Sequence, residues 1–435
     1  MSQPLIDALL AGRWRDPDDG KPVSVPIKSI VIAPSLAGTE AELVGQLGLG
    51  RELAVVSDPT THALLGARIE RALGAVATVT PIRLPENPHP DAATVDRICA
   101  ATKRADALIA VGSGSINDLC KYAAHSDGKP YAVFGTAPSM NGYSSANAAI
   151  TVDGMKKSLP ARVPQGVFLE LDVLTKAPVR MIRSGLGDSL CRATAEADWL
   201  LAHLLRGGSF RRAPFALLAE EETALFQTAD ALVAGDREAM GRLARTLVLS
   251  GLGMVIAGGS YPASQGEHLI AHYVEMTGTD LPPSFHGEQI GVTTLIMARL
   301  QHRMLAGGPP RLHPTPVDGA DLRRHFGAAL GKICEKESRA KALDAAAAER
   351  LTQKLAAEWP AIAGRIGAAL RPTHELEMAL ALAGAPRRGS ELGWSPGFER
   401  TAILRARQIR NRYGFLDLAD EAGLLGPFAA GLRTR

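Results

Sequence analysis

The sequence predicts an α/β domain with a mainly parallel sheet over residues 1–177, followed by an all-helical domain over residues 178–435. Two observations predict this division. In the first part, short runs of Val, Ile, Leu and Phe alternate with helix candidates, at 53–57, 107–112, 131–135 and 166–171. Such alternation is typical of βαβ units around a parallel sheet. Beyond residue 178, these runs stop and long segments rich in Ala, Leu, Glu and Arg take over.

The predicted elements follow in order along the chain. Residues 1–30 are rich in Pro and Asp and predict an arm or an edge segment. Helix candidates at 63–74 and 93–105 lie between the strands, and Asp153-Gly154 between two alternating segments predicts a β-hairpin near 147–160. The second part predicts helices at 186–205, 213–233, 237–257, 265–277 and 287–304, and more over 319–435.

Composition excludes several classes of protein. With 46% hydrophobic and 21% charged residues, a chain of 435 residues is not mostly disordered and is long enough for two or three domains. A net charge of +3 gives no argument for nucleic-acid binding. The four cysteines form no CxxC pair, so we expect thiols in a reducing cytoplasm. We predict no signal peptide and no membrane span, and interpret Leu247–Ala257 as a buried helix.

Three polar turns follow predicted strands and suggest a nucleotide site. Gly112-Ser113-Gly114-Ser115 follows the strand at 107–111 and opens a helix, where glycines and backbone N–H groups favour a diphosphate. Asn117 departs from the GxGxxG pattern, so an ordinary βα turn remains an alternative. Polar side chains also follow 131–135, and Asp58 follows 53–57. The Asp58 carboxylate either accepts hydrogen bonds from a ribose or only caps a helix.

Histidines and one carboxylate suggest a metal site. His268 and His272 are four residues apart and share one face of a predicted helix, for which Ser264 and Glu267 have capping-box spacing. The pair alone is also compatible with packed or surface histidines.

Two further residues make the metal hypothesis specific. His286 begins another helix candidate, and Asp188 follows Gly185-Leu186-Gly187 far upstream. One carboxylate and two imidazoles, with coordination positions left open, suit a catalytic divalent metal ion. Spacing alone does not select Asp188 among the acidic residues.

Six motifs, in order along the chain, resemble those of sn-glycerol-1-phosphate dehydrogenases, above all their bacterial branch. This family belongs to the superfamily of iron-containing alcohol dehydrogenases, glycerol dehydrogenase and dehydroquinate synthase. The motifs are VGSGSINDLCK (111–121), TAPSMNGYSS (136–145), DGMKKSLPARVP (153–164), SGLGD (184–188), YPASQGEHLIAHYVEM (261–276) and HGEQIGV (286–292). The resemblance implies a Rossmann-like N-terminal domain and a dehydroquinate synthase-like helical domain.

The resemblance also implies cofactors, substrate and site residues. It implies a divalent metal ion, nickel or zinc, with iron as an alternative, bound by Asp188, His268 and His286. His272 and Asp188 are implied as catalytic residues, and substrate contacts are assigned to Asn141, Asp188 and His272. NAD(P)H contacts are implied for Asp58, Gly112, Ser113, Gly114, Ser115, Asp118, Thr136, Ser139 and Ser145. Family members interconvert dihydroxyacetone phosphate and sn-glycerol 1-phosphate, and those of the bacterial branch are typically homodimers.

One departure from the family bears on the substrate. The family carries Asp at position 141, where it contacts the substrate, whereas this chain has Asn141. This substitution leaves a dehydrogenase of another polyol or phosphorylated ketose as an alternative function. A dehydroquinate synthase-like lyase, which also holds NAD and a metal, is a further alternative. The intact set of metal ligands argues against a catalytically silent nucleotide-binding protein.

Basic residues outside these motifs are given structural interpretations. Arg405, Arg407, Arg410 and Arg412 are interpreted as a solvated helix face, with a phosphate or partner patch as the alternative. Lys121 is expected to pair with Asp118, three residues earlier on one helix. The Lys156-Lys157 pair is interpreted as exposed hairpin charge or as a contact to a substrate phosphate.

Overall fold

The computed structural model describes residues 2–152 and 155–432, which pack as two compact units. The first unit comprises Met1–Ser189, Arg211–Ser260 and Leu382–Ala385. The second comprises Leu190–Phe210, Tyr261–Ala381 and Pro386–Arg435. This division differs from the predicted boundary after residue 177, because the helices within 211–260 pack into the first unit.

The elements alternate up to residue 170 and are helical thereafter in the described part of the chain. The strands are β1 (Trp14–Arg15), β2 (Pro22–Val23), β3 (Ser29–Ala33), β4 (Glu52–Ser57), β5 (Thr78–Arg83), β6 (Ala107–Gly112), β7 (Tyr131–Gly135), β8 (Asn147–Val152), β9 (Met155–Pro160) and β10 (Gly166–Glu170). The α-helices are α1 (Ser2–Leu10), α2 (Glu40–Gly45), α3 (Pro59–Thr61), α4 (Ala67–Gly74), α5 (Ala92–Ala101), α6 (Gly114–Ser126), α7 (Leu171–Leu174), α8 (Val179–Ser189), α9 (Arg192–Arg206), α10 (Ala213–Ala216), α11 (Ala219–Gln227), α12 (Ala229–Val233), α13 (Arg237–Ala257), α14 (Gly266–Thr277), α15 (His286–Ala306), α16 (Gly319–Phe326), α17 (Ala328–Arg339), α18 (Ala345–Gly367), α19 (Thr373–Leu382), α20 (Pro396–Arg405), α21 (Phe415–Glu421) and α22 (Leu425–Gly431). A π-helical turn, His62–Gly66, joins α3 to α4, and 3₁₀ turns occupy Tyr261–Ala263, Gly389–Leu392 and Ala406–Ile409.

The first unit is organised by a six-stranded, fully parallel sheet in the order β3-β10-β7-β6-β4-β5. Because β6 and β7 are buried throughout, their apolar runs are continuous and were easily predicted. The edge strand β5 is mostly exposed and contains Pro81, which a central strand does not tolerate. The predicted α/β class is confirmed, although β3 and β5 were not predicted.

The direction of the chain reverses between two central strands. From β4 the chain proceeds outward to β5, whereas from β6 it proceeds to β7 on the other side. The carboxyl ends of such diverging parallel strands form the crevice in which open α/β sheets bind ligands. Asp58 follows β4 and Ser113 follows β6, so both lie at this crevice.

A separate antiparallel ribbon lies beside the sheet in the same unit. β8 pairs with β9 from Asn147 opposite Pro160 to Val152 opposite Met155, where the sequence predicts a hairpin. The predicted Asp153-Gly154 turn lies outside the described residues. The carboxylate of Asp118 on α6 accepts a hydrogen bond from Ala149 N at 3.0 Å, which ties the ribbon to the domain.

The second unit contains helices and turns but no strand among its described residues. Its core is formed by apolar faces of α9, α14, α15, α18, α20 and α21, with Trp359, Trp394 and Phe415 among the buried side chains. The helix predicted over 186–205 is two helices, since α8 ends at Ser189 and α9 begins at Arg192. All four cysteines are free thiols.

One helix of the described chain, α13, is long and apolar enough to cross a membrane by length and composition. However, 78% of its apolar stretch is buried inside the protein. A Cβ at Gly251 on this helix would lie 2.1 Å from Ser144 Oγ, so the helix packs closely against the loop after β7. Such burial is typical of a core helix.

Candidate active site

The loop between β6 and α6 is tightly packed around its glycines. A Cβ at Gly112 would lie 2.6 Å from the side chain of Ile116, and one at Gly114 would lie 3.1 Å from that of Met140. Ser113 is the N-cap residue of α6, yet its hydroxyl does not cap the helix. The first N–H groups of this 13-residue helix therefore face the crevice, where they favour negative charge.

Asp58 caps the short helix that follows β4. Its Oδ1 accepts a hydrogen bond from Thr61 N at 2.7 Å, while Asp58 N donates to Thr61 Oγ1 at 3.1 Å. The helix-capping alternative that the sequence left open is therefore realised. Since capping uses Oδ1, the hydrogen bonds among the described residues leave Oδ2 for a ligand at the crevice.

Two of the predicted cofactor contacts belong to a buried polar network. Lys121 on α6 is fully buried and donates to the carbonyl oxygens of Gly142 and Asn147 and to Ser145 Oγ. Asp118 Oδ1 lies 3.9 Å from Lys121 Nζ, as the predicted ion pair requires. Burial lowers the pKa of Lys121 to about 8, while Asp118 acts in the opposite direction. In this structure Asp118 and Ser145 hold the loop and the ribbon in place.

The SGLGD motif on α8 is explained by its contact with the loop of residues 136–145. A Cβ at Gly185 would lie 1.6 Å from Pro138 O, so only glycine permits this approach. Beside it, Ser184 Oγ donates to Ser139 O at 3.1 Å. Asp188, only 1% exposed, accepts a hydrogen bond from Asn141 N through Oδ2 at 2.8 Å. The predicted substrate residue and the predicted metal ligand are thus directly connected.

The side chain of Asn141 carries an unsatisfied hydrogen-bond donor. Its Nδ2 is buried and has no hydrogen-bond acceptor in the described chain. A buried amide donor without an acceptor costs free energy, about 1–3 kcal/mol. A bound molecule with an oxygen acceptor would remove that cost.

In the second unit, three histidines come together at the start of α14 and α15. The ring centroids of His268, His272 and His286 are 5.2–5.8 Å apart. Glu275 connects two of them, because its Oε2 lies 2.9 Å from His272 Nδ1 and its Oε1 lies 3.0 Å from His286 Nδ1. Carboxylates that accept from Nδ1–H leave the imidazole lone pair on Nε2, the usual arrangement of metal-binding histidines.

The third histidine is oriented in the same way. His268 Nδ1 lies 3.0 Å from Glu267 Oε1, and Glu267 is fully buried. The same oxygen accepts from Gln265 N at 2.7 Å, so Glu267 also caps α14. The predicted capping role of Ser264 is wrong, because α14 begins at Gly266 with Gln265 as its N-cap residue. Asp198 holds this start too, since it accepts from Gly266 N at 2.9 Å.

The environment keeps His272 neutral. Burial lowers the pKa of His272 to about 3, against the opposing effect of Glu275. This imidazole therefore titrates well below neutral pH. Near pH 7, His272 holds one proton on Nδ1, facing Glu275, and presents Nε2 as an acceptor.

Residues of this unit also form a group that can hold a cation. Ligand atoms of His272, Glu275 and His286 all lie within 4.8 Å of one another. Sequence reasoning missed Glu275, although its position three residues after His272 on one helix face was a usable signal. Glu267 was noted only for helix capping.

The arginine segment was also misread from the sequence. Arg407 Nε lies 3.0 Å from Asp417 Oδ1, and Arg412 stacks its guanidinium 4.6 Å from the ring centre of Tyr261. Burial lowers the pKa of Arg412 to about 10. The prediction of a solvated helix face is therefore wrong. The run of like charges hid the acidic and aromatic partners, which come from distant parts of the sequence.

Comparison with known proteins places these features in context. Residues 31–178 match the family described as iron-containing alcohol dehydrogenase. The chain is 28% identical over 397 residues to glycerol-1-phosphate dehydrogenase [NAD(P)+] of Bacillus licheniformis, and the alignment covers 88% of each chain. It is 33% identical over 273 residues to the protein of that name from Pyrococcus furiosus, covering 63% of this chain and 78% of the relative.

Solved structures show the same fold. The glycerol dehydrogenase of Schizosaccharomyces pombe aligns with a TM-score of 0.61 at 17% identity, over 93% of this chain and 90% of that one. At this identity the likeness concerns the fold alone.

Proposed function

This chain belongs to the glycerol-1-phosphate dehydrogenases of the iron-containing alcohol dehydrogenase family, and we propose that it interconverts dihydroxyacetone phosphate and sn-glycerol 1-phosphate with NAD(P)H. In the reducing direction, a hydride from the nicotinamide reaches the carbonyl carbon and a proton reaches the carbonyl oxygen. The observation that carries the proposal is the cluster of His268, His272 and His286, oriented by buried carboxylates. The alternative functions are not favoured by the curated relatives.

We propose Asp188, His268 and His286 as the metal ligands. A divalent ion held by these residues would polarise the substrate carbonyl and stabilise negative charge on its oxygen. The residues suit such an ion. Glu267 accepts from Nδ1 of His268 and Glu275 accepts from Nδ1 of His286, so each imidazole keeps its lone pair on Nε2, where it can bind a metal. Carboxylate and imidazole donors suit nickel, zinc and iron alike, and we propose nickel or zinc from the family resemblance.

The cofactor is proposed to bind at the carboxyl ends of β4, β6 and β7. Gly112, Ser113, Gly114 and Ser115 would hold the diphosphate at the start of α6, where a side chain at Gly112 would clash with Ile116. Thr136 and Ser139 follow β7 and would face the nicotinamide side. Asp58 Oδ2 would accept from the adenosine ribose.

His272 and Asn141 are proposed to orient the substrate. As a neutral imidazole, His272 accepts a hydrogen bond from a substrate hydroxyl through Nε2. Asn141 Nδ2 would donate to a substrate oxygen, which supplies its missing acceptor. Both side chains act by position and by hydrogen bonding.

We further propose that the enzyme is a homodimer, as the family resemblance implies, and that it is cytoplasmic. The free thiols of all four cysteines agree with a reducing compartment. Light scattering of the purified protein tests the dimer.

The function is tested with metal-loaded protein and a small panel of carbonyl substrates. NADH oxidation is followed with dihydroxyacetone phosphate, dihydroxyacetone and other ketose phosphates, after loading with nickel or zinc. We expect net NADH consumption with dihydroxyacetone phosphate and a product of sn-1 configuration. Turnover of another ketose alone would reject the proposed substrate. Product formation without net NADH consumption would indicate a lyase that regenerates its cofactor.

A further inference from the structure

Arg410 differs from the other arginines of its segment. Arg405 bonds to Asp321, Arg407 to Asp417, and Arg412 to Ser264 O. The side chain of Arg410, by contrast, has no hydrogen bond or ion pair with any of the described residues. A partly buried guanidinium without an anion is unfavourable, because water no longer solvates its charge fully.

The backbone around Arg410 is firmly held. Arg410 has extended backbone angles, φ −153° and ψ 145°, directly after the 3₁₀ turn Ala406–Ile409. Its carbonyl oxygen accepts from Arg412 N at 2.9 Å, and Asn411 N donates to Glu337 Oε2 at 2.7 Å. The position of the side chain is therefore set by bonds that do not involve its guanidinium.

This segment packs beside the histidine cluster. The turn Ala406–Ile409 lies against α14, the helix of His268, His272 and Glu275. Arg410, which directly follows this turn, is close enough to His272 for its positive charge to act on that imidazole. Burial lowers the pKa of Arg410, and Glu337 is the acidic residue that opposes this.

We propose that Arg410 binds the phosphate group of the substrate in the site around His272. This inference rests on the proposed function, and it names the residue that selects a phosphorylated ketone. A phosphate supplies the anion that Arg410 lacks, and its oxygens match the planar donor fork of a guanidinium. Arg410 thereby takes the role that the sequence left open for the Lys156-Lys157 pair.

The test compares Arg410→Gln with a matched variant, Arg405→Gln, which removes a cation of the same segment that already has a partner. Arg410→Gln is expected to raise the KM for dihydroxyacetone phosphate about 10- to 100-fold, the worth of a charged hydrogen bond. The kcat/KM for dihydroxyacetone, which has no phosphate, should not change. Arg410→Lys should restore part of the lost affinity. An equal loss with both ketones would show a merely structural role and overturn the proposal.

A binding experiment separates this inference from the proposed function. Calorimetry with inorganic phosphate on the full-length protein should show at least tenfold weaker binding for Arg410→Gln and unchanged binding for Arg405→Gln. If the wild-type protein did not reduce dihydroxyacetone phosphate, the proposed function would fail, while this titration would still report on Arg410. Equal phosphate affinity in the wild type and Arg410→Gln would overturn the assignment.

Discussion

The backbone N–H of Asn141 donates a hydrogen bond to Oδ2 of Asp188 at 2.8 Å. The position that departs from the family is therefore held by a proposed metal ligand. Asn141→Asp restores the family carboxylate and replaces the unpaired Nδ2 donor with an acceptor for a substrate hydroxyl. We expect kcat/KM for dihydroxyacetone phosphate to rise about 3- to 10-fold, the worth of one hydrogen bond. A steady-state assay measures this, with the exposed Asn87→Asp as control. The variant gives up the proposed hydrogen bond from Nδ2 but gains a charged acceptor, and we expect the gain to exceed the loss. A decrease at unchanged metal content would show that the hydrogen bond from Nδ2 contributes more than a carboxylate acceptor does.

His268 and His272 are expected to respond differently to substitution. His268→Ala should remove most of the metal and nearly all activity, because it deletes a proposed ligand. His272→Gln should retain the metal and lose turnover. Elemental analysis beside a turnover assay distinguishes the two, with the exposed His374→Ala as control. If His272→Gln loses as much metal as His268→Ala, then His272 is a ligand and the proposed ligand set must be revised.

Glu275→Gln tests the carboxylate shared by His272 and His286. An amide accepts from only one Nδ1–H and presents a donor to the other, so one ring must rotate or change tautomer. We expect metal affinity to fall about 10- to 100-fold, as for other residues that orient metal-bound histidines. Titration of the metal into apo-protein measures this, and Glu358→Gln, on the exposed face of α18, serves as control. Unchanged metal affinity would show that Glu275 does not orient the histidines that bind the metal.

Asp58→Asn separates the two roles of Asp58. Asn caps helices as well as Asp does, so stability should hold, while the negative charge is lost. We expect the preference for NADH over NADPH to fall about fivefold, since a like-charge contact costs about 1 kcal/mol in water. Asp91→Asn is the control, because Asp91 caps α5 in the same way, through Thr94 N at 2.7 Å. If the ratio of kcat/KM for NADH to kcat/KM for NADPH did not change, Asp58 would not contact the adenosine ribose.

Lys121→Met tests the buried network through the pH dependence of stability. The pKa of Lys121 is about 8 in the folded protein, against an ordinary value of 10.5. Between these pH values the unfolded chain binds more protons, so this lysine makes the free energy of unfolding rise with pH. The variant leaves buried acceptors unpaired and should be less stable by about 1–3 kcal/mol. The difference in free energy of unfolding between the wild type and Lys121→Met should therefore grow from pH 8 to pH 10. Denaturant unfolding measures this, with the exposed Lys332→Met as control.

The sequence predicted what depends on local pattern. Continuous apolar runs identified β6 and β7, which are buried on both faces, and the i, i+4 spacing placed His268 and His272 on one helix face. It failed where tertiary contacts decide the structure. The strand β5 is mostly exposed and interrupted by Pro81, so its pattern carries little signal.

Charged residues were the hardest to interpret from the sequence. Arg407 and Arg412 were placed on a solvated face because Asp417 and Tyr261, their partners, are not identifiable by spacing. Ser145 was assigned to the cofactor, yet its hydroxyl is bonded to Lys121, a relationship that only the folded loop reveals.

The contact between Gly185 and Pro138 O limits how the enzyme can be re-engineered. A library that diversifies α8 to change substrate choice must keep glycine at position 185, because even an alanine methyl would overlap that carbonyl oxygen. Pro138 would then have to move, and a displaced loop would shift Asn141 and disturb its hydrogen bond to Asp188. Diversity is better placed at residues whose side chains already face open space, leaving this glycine as a fixed point of the design.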